Sequence, residues 1–135
     1  MSDAVFESIL AGLSSFPALP QKIFFGGFGE PLSHPKIVEM ISRVTSMGIS
    51  AELITNGTLL KRDMIAALIE SGLDTLWVSL DGSTPESFSD IRMGGQLPII
   101  MENLMLLNRM NGGWGRGFSQ HVNVGVVFVA MKRNI

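Results

Sequence analysis

The sequence predicts an α/β fold in which helices cover a parallel β-sheet. Segments with apolar residues at helical spacing alternate along the chain with short apolar runs, and nearly every short run is continuously apolar. Continuous apolar runs are typical of strands that are buried on both faces, so we expect both faces of the sheet to be covered. Strands that alternate with helices pair in parallel through right-handed crossovers. An open doubly wound sheet and a piece of a β/α barrel both remain open at this point.

The first half of the chain provides two helices and two strands. Residues Asp3–Leu13 carry apolar side chains at helical spacing and precede a proline-containing loop, so they predict a helix. The run Lys22–Gly26 is short, apolar and followed by glycines, which indicates a strand. A second helix is predicted from Pro35 until Gly48, because its apolar positions recur every three or four residues. The run Ser50–Thr55 then predicts a second strand.

The second half continues the alternation. Residues Lys61–Ser71 place their apolar side chains on one helical face and are followed by a glycine. The run Thr75–Leu80 predicts a third strand, and the polar loop Ser83–Glu86 begins further helix. Residues Leu97–Met110 are rich in Leu and Met and predict another helix. The run Val122–Met131 is dominated by Val, which favours a fourth strand.

Length and composition limit the class of protein. A chain of 135 residues predicts one domain, residues 1–135. With 46% apolar and 16% charged residues it is not a disordered chain, and its net charge of −2 argues against a nucleic-acid partner. No apolar stretch reaches the length of about 18 residues that a membrane span needs, so we expect no membrane association. The first residues carry no secretion signal, which predicts a cytoplasmic location.

The two ends of the chain lead to a further expectation. The chain begins on a helix that no strand precedes, and it stops a few residues beyond a strand. Four parallel strands would leave two sheet edges unpaired. We therefore expect the chain to be a segment of a longer protein, and we expect the isolated chain to associate with itself through these edges.

Polar and small residues follow all four predicted strands, at the edge where parallel α/β proteins bind ligands. The four segments are Gly26–Pro31, Thr55–Thr58, Ser79–Gly82 and Met131–Asn134. The first lets backbone approach a ligand closely and offers carbonyl oxygens and the Glu30 carboxylate, a set that suits an ammonium group better than a phosphate. Hydroxyl and carboxylate groups in the other segments are typical of sites that hold ribose hydroxyls or a ligand carboxylate.

Each feature also has a plain interpretation. Glycines often form a tight turn after a strand, and Asn56 and Asp81, each followed by glycine, can mark simple turns. His34 is better explained as a loop residue than as a metal ligand, because no second His or Cys stands at ligand spacing. A hydrolase that uses Ser79, Asp81 and His34 is a weak alternative, since no Gly-x-Ser-x-Gly motif is present. The shared position at one sheet edge favours a binding site.

The motifs resemble those of the radical S-adenosylmethionine (radical SAM) enzymes. The resemblance covers nearly the whole chain and rests on Phe25–Leu32 with His34-Pro35, on Ile54–Leu60, and on Val78–Gly82 with Arg92 downstream. It implies a partial (β/α)6 TIM-like barrel in which the four strands here are the second to the fifth. It also implies ten residues that bind S-adenosyl-L-methionine: Gly26, Gly27, Gly29, Glu30, Thr55, Asn56, Ser79, Asp81, Arg92 and Asn134.

The resemblance assigns these residues different parts of the cofactor. The turn from Gly27 to Glu30 would hold the methionine ammonium, and Ser79 with Arg92 would meet the methionine carboxylate. The three strand-end residues at positions 55, 56 and 81 would lie near the ribose or the substrate. Asn134 matches a polar position that follows the fifth strand in family members. Val124 and Val126 would line the adenine.

The sequence departs from the family in one large respect. The Cys-x3-Cys-x2-Cys loop that holds a [4Fe-4S] cluster in family members is missing, and the chain contains no cysteine. The resemblance implies a segment of an iron-sulfur oxidoreductase or maturase that, in the full-length protein, cleaves S-adenosylmethionine reductively to a 5'-deoxyadenosyl radical for hydrogen abstraction. The chain alone would be inactive.

Two explanations of the missing cysteines remain open. The chain is either a piece of a full enzyme or a degenerate relative. In the second case it would be a cysteine-free module that binds S-adenosylmethionine or a nucleotide without radical chemistry. The substrate is not predicted, and peptides or proteins are among the candidates.

Overall fold

A computed structural model describes residues 1–82, 84–91, 97–112 and 121–132, with the side chains of residues 89–91 left out of the description. Helices and strands alternate along these residues. In chain order the elements are α1 (Asp3–Ser14), β1 (Lys22–Phe25), a 3-10 turn (Pro31–Ser33), α2 (Ile37–Ser46), β2 (Ser50–Thr55), α3 (Arg62–Glu70), β3 (Thr75–Ser79), α4 (Pro85–Ile91), α5 (Leu97–Met110) and β4 (Asn123–Val127).

The four strands form one sheet in the order β1-β2-β3-β4, and all three pairings are parallel. This confirms the predicted α/β class with four parallel strands and flanking helices. Three strands end earlier than predicted, because Gly26, Leu80 and residues 128–131 lie beyond the ladders. The helix predicted from Pro35 begins at Ile37, after a 3-10 turn that the sequence analysis did not anticipate.

The core lies on one side of the sheet, which we call the covered face. In β2 and β3 every second residue, such as Leu53 and Leu76, is buried there against apolar side chains of the helices, among them Ile41, Ile65 and Ile100. Burying such a side chain contributes about 1.5–3 kcal/mol, so this layer is the main source of stability.

The opposite side of the sheet, the open face, carries Phe24, Ile54 and Trp77, which are not part of this core. Phe24 is 53% exposed, and the other two are partly exposed. The expectation that both sheet faces are covered is therefore wrong for the described residues. The reason is that the described helices pack on one face of the sheet. Buried and partly exposed residues therefore alternate along β2 and β3, although apolar residues occur on both faces of these strands.

Helix α1 is attached to α2 rather than to the sheet alone. Phe6 and Leu10 of α1 are buried in the core. Arg43 of α2 donates two hydrogen bonds to the Glu7 carboxylate, at 2.8 and 2.9 Å. A second ion pair joins Asp3 of α1 to Lys36, the residue before α2. Exposed ion pairs contribute little, so the two apolar side chains hold α1 in place.

The two edges of the sheet are β1 and β4, each of which pairs on one side only within the described residues. Beyond β4, Phe128 and Val129 remain 45% and 53% exposed. Self-association through these edges stays a prediction. In the described ranges, no helix combines the length and apolar character that crossing a membrane requires.

Candidate functional site

An open cleft of about 410 Å³ lies at the carboxyl ends of the first three strands. Six of the ten predicted site residues line it. Its lining residues are Gly27, Gly29, Glu30, Ile54, Thr55, Asn56 and Ser79. The parallel pairing brings these residues together, because it places the ends of β1, β2 and β3 at the same edge of the sheet.

The loop after β1 forms one wall of the cleft. Gly27 and Gly29 have φ angles of +134° and +106°, which only glycine adopts readily. No heavy atom lies within 4 Å of the position that a Cβ would take at either glycine, so the loop faces open space. The side chain of Phe28, between them, is fully exposed. Backbone atoms of this loop are therefore accessible to a ligand in the cleft.

The Glu30 carboxylate is fixed by the neighbouring strand. Its Oε1 accepts hydrogen bonds from the Thr55 hydroxyl at 2.7 Å and from the Leu32 N–H at 3.1 Å. Its Oε2 accepts from the Asn56 N–H at 2.8 Å. A carboxylate has about four acceptor positions. The described residues use three of them, so within this part of the chain one position on Oε2 remains for a donor of a ligand.

Thr55 and Asn56 line the cleft, and their side chains also form hydrogen bonds within the loop that follows β2. The Thr55 hydroxyl is buried, donates its proton to Glu30 and accepts from the Gly57 N–H at 3.1 Å. The Asn56 Oδ1 accepts from the N–H and the hydroxyl of Thr58, at 2.9 and 2.7 Å. These two side chains shape the end of β2, and Thr55 has no hydroxyl proton left to donate to a ribose.

Two of the remaining predicted residues, Asp81 and Gly26, lie apart from the cleft lining. Asp81 is buried, and its Oδ1 accepts from the Val129 N–H at 3.1 Å, which ties the end of β3 to the segment after β4. Gly26 precedes the loop, and a Cβ there would lie 2.3 Å from the Phe24 ring. Arg92 and Asn134, which the sequence analysis also assigned to the cofactor, lie outside the described residues.

Residues assigned to other sites are placed as follows. Val124 and Val126, predicted at the adenine, do not line this cleft. His34 lies in a loop, where its Nε2 is 2.9 Å from the Met1 carbonyl oxygen and its Nδ1 accepts from the Lys36 N–H. The plain interpretation of His34 as a loop residue agrees with these contacts, which lend no support to a hydrolase.

One polar network was missed by the sequence analysis. On the open face, the Glu52 Oε2 accepts from the Trp77 indole N–H at 2.9 Å, and its Oε1 accepts from the Lys22 ammonium. The Lys22 hydrogen bond, followed by that of Trp77, holds the pKa of the Glu52 carboxyl below its ordinary value. The only signal in the sequence was a charged residue in the middle of an apolar strand.

The described residues offer no site for a metal cluster. The chain has no cysteine, and in the part that the structure describes no group of three or more His, Asp or Glu side chains could hold a metal ion. The polar cleft, with one fixed carboxylate, can instead hold an organic cation and hydrogen-bonding groups.

Comparison with known proteins identifies relatives of the chain. The family model described as "Radical SAM superfamily" matches residues 3–115. The chain is 40% identical over 77 residues to the tungsten-containing aldehyde ferredoxin oxidoreductase cofactor-modifying protein of Pyrococcus furiosus, a match covering 57% of this chain and 21% of that protein. It is 33% identical over 95 residues to the PqqA peptide cyclase of Rhodopseudomonas palustris, covering 70% of this chain and 24% of that protein.

Solved structures share the fold. A domain of the pyruvate-formate lyase-activating enzyme from Bacteroides vulgatus superposes with a TM-score of 0.57 at 17% identity, covering 67% of this chain and 55% of that chain. Archaeal TYW1 gives the same TM-score at 15% identity, covering 96% and 42%. The partial barrel implied by the motifs is consistent with these neighbours. The matches span 21% and 24% of the length of the two curated relatives.

Proposed function

This chain belongs to the radical SAM superfamily, and we propose that its cleft binds S-adenosyl-L-methionine with the methionine end against the loop Gly27–Glu30. The ammonium would donate to the open acceptor position on the Glu30 Oε2. Beside it, the positions that a Cβ would take at Gly27 and Gly29 face open space. The volume of the cleft is within the range of about 300–1,000 Å³ that is typical of small-molecule sites.

The observation that carries the proposal is the fixed and still accessible carboxylate of Glu30. Among the lining residues that the structure describes, it is the only one with a charged side chain. The three donors from its own loop and from β2 hold it in place before a ligand arrives. A preorganised carboxylate selects a cation, because binding then costs little side-chain ordering. S-adenosylmethionine carries two cationic centres, the ammonium and the sulfonium.

The chain supplies the binding surface and not the electron source. In complete members of the family, a [4Fe-4S] cluster supplies the electron for radical chemistry. A thiolate-held cluster does not fit this chain, which has no cysteine, and no step of a reaction is assigned to these residues. What they do is bind the cofactor and orient its methionine end. We place the chain in the body of an oxidoreductase or maturase whose cluster ligands lie on another segment.

A second function is favoured by the same absence of cysteine. A cysteine-free module could bind S-adenosylmethionine or a nucleotide and carry out no radical chemistry. The two functions differ in how tightly the isolated chain binds. A self-sufficient module would bind at micromolar concentrations, whereas a segment that lacks the cluster loses one anchor of the methionine end and would bind about a hundredfold more weakly.

Calorimetric titration of the 135-residue chain tests the proposal. The ligands are S-adenosylmethionine and 5'-methylthioadenosine, which lacks the amino-acid end. Glu30→Gln should weaken binding of S-adenosylmethionine at least tenfold and leave 5'-methylthioadenosine unchanged, because only the former carries the ammonium. Glu70→Gln, an exposed change on α3, is the matched control and should have no effect. Equal binding of S-adenosylmethionine by wild type and Glu30→Gln, or no binding at millimolar concentrations, would contradict the proposal.

A further inference from the structure

Helix α5 supports the loop that follows β2, although α5 itself stands between β3 and β4 in the chain. Two of its residues, Ile100 and Asn103, lie against Gly57 of that loop. The Asn103 Nδ2 donates a hydrogen bond to the Gly57 carbonyl oxygen at 2.9 Å, and a Cβ added to Gly57 would lie 2.9 Å from the Ile100 Cγ2. Residues three apart lie on the same side of a helix, so one face of α5 holds this loop through an apolar and a polar contact.

The backbone of Gly57 is held in one conformation. Its φ angle is +81°, in the left-handed region that favours glycine. The residue is buried, so its backbone groups depend on partners within the protein. Besides Asn103, the Leu60 N–H reaches the Gly57 carbonyl oxygen, but at 3.4 Å, beyond the usual range of about 2.7–3.2 Å. Among the donors that the structure describes, the Asn103 amide is therefore the closer partner of this carbonyl.

The N–H of Gly57 joins the loop to the cleft. It donates to the Thr55 hydroxyl oxygen at 3.1 Å, and that hydroxyl donates to the Glu30 Oε1 at 2.7 Å. The preceding N–H, that of Asn56, donates to the Glu30 Oε2 at 2.8 Å. Asn103 thus stands at the start of a chain of hydrogen bonds that runs through Gly57 and ends on the carboxylate. Two of the three described donors to this carboxylate belong to the segment that Asn103 holds.

The chemistry of the Asn103 side chain agrees with this contact. Asn favours helices less than the Leu and Met residues around it, because its side chain competes for backbone hydrogen bonds. The residue is partly buried, where an amide without a partner costs free energy. It is not among the residues that line the cleft. The hydrogen bond to the loop therefore accounts for a polar residue at this position of the helix.

We propose that Asn103 is a positioning residue for the cofactor. By holding the Gly57 carbonyl it keeps residues 55–57 in the conformation in which they fix the Glu30 carboxylate. It acts through the loop and does not touch the cofactor. This role rests on the proposed function in one respect, because the ligand whose binding should change is S-adenosylmethionine. The fixing of the loop itself requires no ligand.

Calorimetric titration of the full 135-residue chain measures the effect on binding. Asn103→Ala removes the donor and keeps a good helix former in α5. It should weaken S-adenosylmethionine binding about three- to tenfold, because binding must then order the carboxylate. Binding of 5'-methylthioadenosine, which lacks the ammonium, should stay within about twofold of wild type. A general loss of stability would weaken both ligands alike, so the split between them separates positioning from a structural role.

Three further variants complete the titration. Asn108→Ala makes the same change on the same helix, at a partly buried residue for whose side chain the described part of the structure gives no hydrogen bond, and should alter neither affinity. Asn103→Gln keeps an amide on a side chain one methylene longer and should retain most of the S-adenosylmethionine affinity. If Asn103→Ala does not fold, Asn103→Leu takes its place, because it also lacks the donor and fills the partly buried position with an apolar side chain.

Hydrogen exchange followed by NMR tests the loop without any ligand. Asn103→Ala should speed exchange of the Asn56 and Gly57 amide hydrogens about tenfold relative to Asn108→Ala. The amide of Leu68, within α3, should be unchanged. A general loss of stability would instead speed exchange at all three amides.

Unchanged exchange at Asn56 and Gly57, or an equal loss of affinity for both ligands, would overturn the positioning role. If wild type does not bind S-adenosylmethionine, the proposed function fails, while hydrogen exchange still decides whether Asn103 holds the loop. If Glu30→Gln weakens binding and Asn103→Ala does not, the proposed function stands and the positioning role fails.

Discussion

Removal of the Thr55 hydroxyl should free the Glu30 carboxylate from one of its hydrogen bonds and should also destabilise the fold. Thr55→Val preserves the shape and the strand preference of the side chain. It deletes the 2.7 Å hydrogen bond to the Glu30 carboxylate and the acceptor of the Gly57 N–H. Residue 55 is only 2% exposed, so water cannot replace the lost hydroxyl.

The expected cost follows from these two bonds. A hydrogen bond to a charged group contributes about 1.5–3 kcal/mol, and a buried N–H left without a partner costs about 1–3 kcal/mol. The added methyl group returns about 1 kcal/mol through burial of apolar surface. We therefore expect the free energy of unfolding to fall by about 3 kcal/mol, measured by urea denaturation followed by circular dichroism.

Two control variants sharpen this prediction. Thr55→Ser retains the hydroxyl and should recover most of the loss. Thr75→Val makes the same chemical change on β3, at a residue for whose side chain the described part of the structure gives no hydrogen bond, and should change the stability by less than about 0.5 kcal/mol. If Thr55→Val is as stable as Thr75→Val, the reasoning about the Glu30 hydrogen bonds is refuted.

Three other predictions concern the glycines and the open face. Gly125→Ala should cost about 1–3 kcal/mol in urea denaturation, because the new Cβ collides with the Trp77 ring; an unchanged midpoint would contradict the placement of that ring. Gly12→Ala, with open space in the last turn of α1, should instead raise the stability by up to about 1 kcal/mol, and a loss would contradict the helix. The lowered pKa of Glu52 means that its bond to Trp77 is present at neutral pH and is lost as the pH falls through that pKa. The Trp77 indole signal should therefore titrate in acid, and Glu52→Gln should abolish the titration.

The sequence was sufficient to predict the bounds of those elements that are defined by neighbouring residues in the chain. The strand Ser50–Thr55 and the helix Leu97–Met110 have the predicted bounds, because turn residues and a long helical period define them. The convergence of six site residues on one cleft also followed from local signals. Once the strands are parallel, their carboxyl ends meet at one edge.

The rest depends on contacts between distant residues. Composition predicted that both strand faces are buried, but whether a second layer covers Ile54 and Trp77 is a property of the packing and not of the strand itself. The sequence indicated that Glu30 faces a ligand. It did not indicate that Thr55 and the Asn56 N–H share the carboxylate, because those contacts require the register between the β1 loop and the end of β2.

The most direct test of the account is a crystal structure of this chain with S-adenosylmethionine bound. The account predicts that the methionine nitrogen lies within about 2.7–3.2 Å of the Glu30 carboxylate, between the glycine loop and the end of β2. A cofactor bound away from this cleft, or bound in it with its methionine end turned away from Glu30, would contradict the central claim.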